Sequence, residues 1–272
     1  MTVRQALVHL RDIEADLFLA HAIKQPKEFL YMHPEHVLTT RQWREMESLA
    51  KKRRNGMPAA YILGYKDFAG LRFKVSRDVL VPRPETEKLV EMAAAELNAK
   101  EAKLRVLDVG TGSGCIIISL AAQSTPKQRR SISFSATDVS RPALSIARRN
   151  AKTHKVNIKF SRSDLLSSTK GKFDIITANL PYILPADYQK LIKNLNFEPK
   201  SALTDGTKTW KLYERFFRQL PKRLAKDGSA FLEIDPKSKA MLTKWARKYL
   251  PEYHITFSKD LRRLVRYAKI SK

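Results

Sequence analysis

Three glycines at alternate positions, Gly110, Gly112 and Gly114, stand directly between the short apolar run Leu104 to Asp108 and the helical stretch Cys115 to Ala122. Glycine is what a chain needs where the backbone turns tightly from strand into helix and must let a ligand approach. The flanking pattern extends the constraint. Pro84 opens a helix with Glu85 and Glu87 in its first turn, and Leu89, Val90, Met92, Ala93 and Leu97 form its apolar face. Ile132 to Thr137 reads as a strand, Ser140 as the N-cap of a helix over Pro142 to Lys152, and Ile158 to Ser163 and Phe173 to Ala178 as further strands. A helix over Trp210 to Lys226 with a kink at Pro221, a turn at Asp227-Gly228 and a strand over Ala230 to Ile234 follow. A helix near Lys237 to Tyr249 and strands near His254 to Ser258 and Leu264 to Ile270 complete the alternation. It predicts an α/β doubly wound, mostly parallel sheet covered on both faces, ending in an antiparallel hairpin at or near its edge.

The start of the chain is patterned differently. Ala6, Leu7, Leu10, Ile13, Leu17 and Ala20 recur at helical spacing and predict one amphipathic helix over Val3 to Lys24. A second helix follows Thr39 or Thr40 as N-cap and runs to the basic residues before Asn55-Gly56. Ala60 to Leu63 and Leu71 to Val75, with turns at Gly64 and Gly70, predict a hairpin, and Pro82-Arg83-Pro84 stops regular structure. The expected organisation is a helical domain over 1–57, a hairpin and linker over 58–83, and the sheet domain over 84–272.

Composition narrows the function class. At 272 residues the chain has ample length for a buried core, and no stretch approaches the ~20 apolar residues that span a bilayer. Met1 to Asp16 has no continuous hydrophobic core, so a cytoplasmic protein without membrane association is expected. A single cysteine, Cys115, excludes an intrachain disulfide and multi-cysteine zinc sites, and the six histidines lack metal-ligand spacing, so no metal is expected. The net charge of +25 attracts acidic proteins or nucleic acids without choosing between them; it is compatible with a nonspecific affinity for nucleic acid and equally with a proteome-wide lysine bias, since the basic pairs are spread along the whole chain.

Asn179-Leu180-Pro181-Tyr182, at the end of the Phe173 to Ala178 strand, carries the chemistry. Pro181 holds residue 180 extended, so the Asn179 carboxamide oxygen and the Leu180 carbonyl present two acceptors side by side. That pair suits a planar NH2 group, and the Tyr182 ring can lie against a flat amide or base. The implied target is an amide or an exocyclic amine; a plain turn at a prolyl strand end is the competing reading, and the stronger one for these four residues taken alone.

Gly110-Thr111-Gly112-Ser113-Gly114 lacks the later third glycine of a dinucleotide fingerprint, a position that Cys115 occupies here. Its GxGxG form after a D-x-G strand end resembles motif I of the class I S-adenosylmethionine-dependent methyltransferases. Asp138, at the tip of the next strand, is placed to accept the hydroxyls of an adenosine ribose. Asp164 and Leu165, after the third strand, stand where adenine is expected, the carboxylate for its amine and the leucine against its ring. A plain cap or turn role is the competing reading for either aspartate.

The match extends further. Arg53-Arg54-Asn55-Gly56-Met57-Pro58, Tyr61-Ile62-Leu63-Gly64, Phe68, Gly70-Leu71, Phe73, Val75 and Val79-Leu80-Val81-Pro82-Arg83-Pro84-Glu85-Thr86-Glu87 closely resemble the PrmC/HemK release-factor glutamine methyltransferases. Ser163-Asp164-Leu165, Phe173-Asp174 to Tyr182-Ile183, Glu198-Pro199, Ala202-Leu203 and Gly206 continue the resemblance in order, and residues 1 to 50 match in helical character alone. Two departures stand out. That family usually has Asn-Pro-Pro-Tyr, whereas Leu180 makes this segment similar to the Asn-Leu-Pro-Tyr of the rRNA adenine dimethylases; Asp260-Leu261 is followed by Arg262-Arg263 where the family tends to have glycine.

The resemblance implies a Rossmann-like methyltransferase domain behind a helical substrate-recognition domain. It implies methyl transfer from S-adenosylmethionine to the side-chain amide of the glutamine in a release factor's Gly-Gly-Gln loop, by a monomer. Asn179, Leu180, Pro181 and Tyr182 are then catalytic; Gly110 to Gly114, Asp138, Asp164, Leu165 and Asn179 bind the cofactor; Arg83, Glu85 and Thr86 line the substrate cleft or cap the following helix. The rivals are an adenine-N6 methyltransferase acting on RNA or DNA, whose substrate offers the same NH2, and a catalytically silent nucleic-acid or ribosome-binding protein.

Overall fold

In the computed structural model the chain divides between Tyr65 and Lys66 into two units. Residues 1–10, 14–100, 103–207 and 210–272 are described, with the backbone alone for 192–195. The first unit is helical: α1 (Val3–Leu10), α2 (Ala15–Ile23), α3 (Lys27–Met32), α4 (Thr40–Arg54) and α5 (Ala59–Leu63). Thr39 caps α4 in a reciprocal capping box with Gln42. Val3, Ala6, Phe18, Leu19, Leu30 and Met46 form this unit's buried core. The single helix expected over Val3 to Lys24 is two helices, α1 and α2, and Ile13 lies outside the described residues. Ala60 to Leu63 is α5 rather than a strand. Pro58 precedes this helix and Gly64, at φ +79°, ends it in the left-handed conformation that glycine adopts freely.

The second unit begins with the hairpin, shifted from its expected place to β1 (Tyr65–Phe68) and β2 (Leu71–Lys74). Its two-residue turn, Ala69 and Gly70, has φ +49° and +76°, the twist that suits adjoining antiparallel strands. Phe68 and Phe73 meet edge to face at 6.0 Å and share a core with Leu89, Ile117 and Phe134, so this segment is packed structure rather than a linker.

The remaining elements are α6 (Pro84–Asn98), β3 (Leu104–Val109), α7 (Cys115–Gln123), α8 (Pro126–Ser131), β4 (Ile132–Asp138), α9 (Arg141–Thr153), β5 (Lys159–Arg162), β6 (Phe173–Asn179), α10 (Pro185–Leu195), α11 (Lys211–Gln219), β7 (Leu224–Glu233), α12 (Lys239–Tyr249), β8 (His254–Lys259) and β9 (Val265–Ser271). The seven strands run in the order β5-β4-β3-β6-β7-β9-β8. β3 to β7 are parallel; β9 runs antiparallel to β7 and to β8, which forms the edge as expected. Leu89, Val90, Ile117 and Ile118 are buried in one core of the sheet, and Phe216, Phe217, Leu242 and Trp245 in the other.

Four elements depart from expectation. The helix predicted through Lys226 ends at Gln219 and passes into a 3-10 turn over Leu220–Lys222 around Pro221. Asp227-Gly228 is not a free turn but lies within β7, opposite a register irregularity in β6. Helices α8 and α10 occupy stretches read as connections; Thr125 caps α8 with Gln128, and Pro185 opens α10 with Asp187 in its first turn. Among the described residues no helix is long and apolar enough to cross a membrane.

From β3 the chain builds outward to β4 and β5, then returns to place β6 on the other side of β3. The crevice at the carboxyl ends of β3 and β6 is therefore the topological switch point, where open α/β sheets bind ligands.

Candidate functional site

The loop after β3 is folded over the tip of β4: the Gly110 and Thr111 amides both donate to the Thr137 carbonyl at 2.9 Å. Gly110, Gly112 and Gly114 all have positive φ, +73°, +55° and +82°. Their surroundings differ. A Cβ on Gly112 would meet nothing within 4 Å, because that position faces open space; one on Gly114 would stand 2.7 Å from Ile118 Cδ1 and 3.2 Å from Ala147 Cβ. Gly112 thus leaves room for a ligand, and Gly114 lets α7 and α9 close together. Asn150 of α9, buried, secures the loop from behind by donating to the Ser113 and Lys74 carbonyls at 2.8 and 3.0 Å.

The loop borders an open cleft of about 1010 Å³. Gly110, Thr111, Gly112, Ser113, Asp138, Asp164, Leu165, Asn179, Leu180, Pro181, Arg83 and Thr86 are all brought to it. Gly114, Tyr182 and Glu85 do not line it.

Asp138 combines its two readings. Its Oδ2 accepts from Gly112 N at 2.9 Å and its Oδ1 from Ser140 N at 2.8 Å, while Ser140 caps α9. The carboxylate is a turn anchor whose remaining lone pairs border the cleft. Asp164 is over half exposed and pairs with Arg215, so its carboxylate is shared with a cation. Leu165 is buried at φ +54°.

The Asn179 to Tyr182 segment is held by a residue that the sequence patterns passed over, Glu233, at the end of β7 beside Asn179 in the sheet register. Its buried carboxylate accepts from Thr86 Oγ1 at 2.7 Å, Asn179 Nδ2 at 3.0 Å and Tyr182 Oη at 3.1 Å. Asn179 Nδ2 also donates to Thr86 Oγ1 at 3.1 Å. With both amide hydrogens engaged, the carboxamide oxygen is the end left for the cleft. The Tyr182 hydroxyl is committed to Glu233, and burial together with the Glu233 charge pushes its ionisation well up. Thr86 likewise turns to Glu233 and Asn179 rather than outward. The signal for Glu233 was a lone acid in the apolar strand Ala230 to Ile234, an expensive placement unless hydrogen-bonded.

The Leu180 carbonyl accepts from Tyr213 Oη at 3.1 Å, but that hydroxyl lies closer to the Glu233 carbonyl at 2.6 Å and has one hydrogen to give. A second lone pair on the Leu180 oxygen remains. The Leu180 side chain is buried, and a Cβ on Gly110 would stand 3.2 Å from its Cδ2, so residue 180 contributes packing as well as a carbonyl. Arg83 pairs with buried Glu198, which also accepts from Val81 N at 3.1 Å; this fixes the Val81 to Arg83 strip beside the cleft. Glu85 is used through its carbonyl, which accepts from Tyr267 Oη at 2.6 Å.

Beneath the loop, buried Asp108 accepts from Thr177 Oγ1 at 2.7 Å, and the buried Thr111 hydroxyl also favours its charged form. Burial nevertheless pushes the Asp108 carboxyl up to about 6. A buried carboxylate with no cation paired to it among the described residues, under a glycine cradle, suits a ligand that is cationic. S-adenosylmethionine, with its sulfonium, ammonium and ribose, fits that donor set.

Comparison with known proteins agrees with this geometry. The methyltransferase small domain matches residues 86–226, and the PrmC N-terminal domain matches residues 3–64. The release factor glutamine methyltransferase of Streptococcus pneumoniae (strain ATCC BAA-255 / R6) is 36% identical over 234 residues, 86% of this chain and 81% of that protein. That of Coxiella burnetii (strain RSA 493 / Nine Mile phase I) is 34% identical over 258 residues, 93% of this chain and 89% of that protein. Among solved structures, the N-terminal domain of human METTL16 in complex with SAH shares the fold, with a TM-score of 0.53, 15% identity and 93% of each chain covered.

Proposed function

The chain belongs to the release factor glutamine methyltransferases, S-adenosylmethionine-dependent enzymes, and we propose that it methylates the side-chain amide nitrogen of the glutamine in a release factor's Gly-Gly-Gln loop. The observation that carries this reading is the orientation of Asn179. Its nitrogen is tied to Glu233 and Thr86, which leaves its oxygen to accept from a substrate NH2 beside the Leu180 carbonyl.

An amide nitrogen is a poor nucleophile because its lone pair is delocalised into the carbonyl. Two acceptors aimed at its N–H bonds raise its electron density as positive charge develops on nitrogen, and they fix it in line with the methyl group. S-adenosylmethionine, when bound, would supply that methyl on an electrophilic sulfonium and leave as the neutral thioether, while the nitrogen loses one of its two protons to solvent. Gly112 and Thr111 would cradle the cofactor, the free lone pairs of Asp138 would take ribose hydroxyls, Leu165 would pack the adenine, and Asp164 would share its carboxylate between Arg215 and the adenine amine. Asp108 would favour the cofactor's positive charge from below. Tyr182, braced by Glu233, shields the amide from water. Arg83, held by Glu198, borders the substrate's entry, and the helical unit of residues 1–65 recognises the body of the release factor. The enzyme acts as a cytoplasmic monomer, and its charge of +25 adds nonspecific affinity for nucleic acid.

Labelled S-adenosylmethionine supplied with purified release factor, its loop Gln-to-Ala variant and rRNA tests the substrate. Label is expected on the intact release factor alone. Label on rRNA only would establish the adenine reading, and label on neither the silent one.

A further inference from the structure

Glu233 never reaches the cleft, yet donors from three segments converge on it: Thr86 of α6, Asn179 at the end of β6, and Tyr182 beyond it. A protonated carboxyl would have to donate in its turn, and Thr86 or Tyr182 would then have to reverse its hydroxyl and release a bond that the cluster now makes. The other charged or titratable groups facing it are Arg266, which attracts the charge from β9, and Glu85, which opposes it; Tyr213 holds the Glu233 carbonyl, and Tyr267, Arg83 and the buried, neutral Cys115 thiol of α7 stand nearby. We propose that ionised Glu233 is a positioning residue for methyl transfer, fixing the Asn179 carboxamide with its oxygen toward the cleft and bracing the Tyr182 ring. The inference rests on Asn179 being the acceptor for the glutamine amide.

Burial raises the Glu233 carboxyl above its ordinary range, and the Thr86 and Tyr182 hydrogen bonds pull it back down. Acidification therefore protonates Glu233 in the folded enzyme and loosens both partners, which gives kcat an acid limb. Glu233→Gln keeps the shape without the charge. Its kcat is expected to fall about 10-fold, as for loss of one charge-assisted hydrogen bond. KM for S-adenosylmethionine should stay within about two-fold, because the cofactor loop is untouched, and the acid limb should vanish. Thr86→Val removes a bond that favours the carboxylate and should move the limb to higher pH. A Glu233→Gln enzyme with the wild-type rate and limb would overturn the inference while Asn179→Ala still abolished transfer. Full transfer by Asn179→Ala would instead sink the underlying reading.

A second surface is independent of this one. Residues 139–163, which include α9 and β5, contain no Asp or Glu. Arg141, Arg148, Arg149, Lys152, Lys155 and Lys159 are all exposed there, and none pairs with a carboxylate among the described residues. Val139, which lines the cleft, is the one large apolar side chain exposed in this stretch, and none is exposed among the basic residues from 140 to 163. Protein interfaces are built round an apolar centre, whereas nucleic-acid interfaces are polar and cationic. We infer that this edge of the sheet docks nucleic acid through its phosphates. The test is binding of a short RNA duplex across a salt series by wild type, by R149Q/K152Q/K155Q/K159Q, and by the charge-matched α12 variant K239Q/K244Q/R247Q/K248Q. The first variant should bind at least about 10-fold more weakly than the second, with a log K against log salt slope shallower by about 3. Equal weakening by both variants would overturn the inference. So would loss of release-factor methylation at low salt with RNA binding intact, which would assign the surface to an acidic protein.

Discussion

Asp108 of β3 and Thr177 of β6 are partners in the sheet register, and the Thr177 hydroxyl donates to Asp108 Oδ1 at 2.7 Å. The carboxyl is pushed up from 3.8 to about 6 chiefly by burial, so between those values the folded state holds a proton that the unfolded chain has lost. Stability accordingly falls as pH rises through that window and stays lower above it, by about 3 kcal/mol for a shift of this size. Asp108→Asn keeps an acceptor for Thr177 and removes the charge. We expect its Tm to exceed that of wild type at pH 7.5 with the gap closing below pH 4, and its affinity for S-adenosylmethionine to drop. A gap that persists at low pH would refute the electrostatic origin.

The glycine loop separates binding from packing. Alanine at Gly112 fills space that the ligand needs and adds backbone strain on the order of 1 kcal/mol at φ +55°. Alanine at Gly114 collides with Ile118 and Ala147 besides being strained, and costs roughly 2–4 kcal/mol. Calorimetric titration and thermal melts should therefore diverge: Gly112→Ala loses cofactor binding at a near-normal Tm, and Gly114→Ala loses stability first.

These two positions also mark what sequence can reveal. The strand-glycine-helix pattern and the apolar runs located the sheet, the glycine loop and the Asn179 to Tyr182 segment, because each is a local signal of period or backbone freedom. Glu233 and Tyr213 were not legible. Their roles arise from neighbouring strands and a distant helix meeting at Asn179, a contact between residues 54 apart for Glu233 and 33 apart between Tyr213 and Leu180. Ala60 to Leu63 misled for the opposite reason, since a four-residue apolar run without alternation is compatible with strand or helix, and Pro58 and Gly64 decide for helix.

The Asp164 pair with Arg215 is an exposed ion pair, of a kind that contributes about 0–1 kcal/mol. Asp164→Ala should leave Tm almost unchanged, yet weaken S-adenosylmethionine binding by an amount smaller than Gly112→Ala does. Arg215→Ala frees the carboxylate and should leave binding unchanged or tighten it. Weaker binding in Arg215→Ala would show that the arginine, rather than the aspartate, meets the cofactor.

Leu180 tests whether the reaction uses its carbonyl or its side chain. Leu180→Ala preserves the carbonyl and Pro181 after it, but empties a buried site packed over Gly110, at a cost of about 2–4 kcal/mol in stability. Asn179→Ala removes an acceptor that strengthens as charge develops on nitrogen, and should lower kcat about 100- to 1,000-fold. Measured well below either variant's Tm, Leu180→Ala is expected to retain kcat within about 10-fold of wild type, because the backbone atom survives and only its setting loosens. Losses of equal size in the two variants would mean that the Leu180 side chain itself shapes the acceptor pair, through its contact with Gly110 and the cofactor loop.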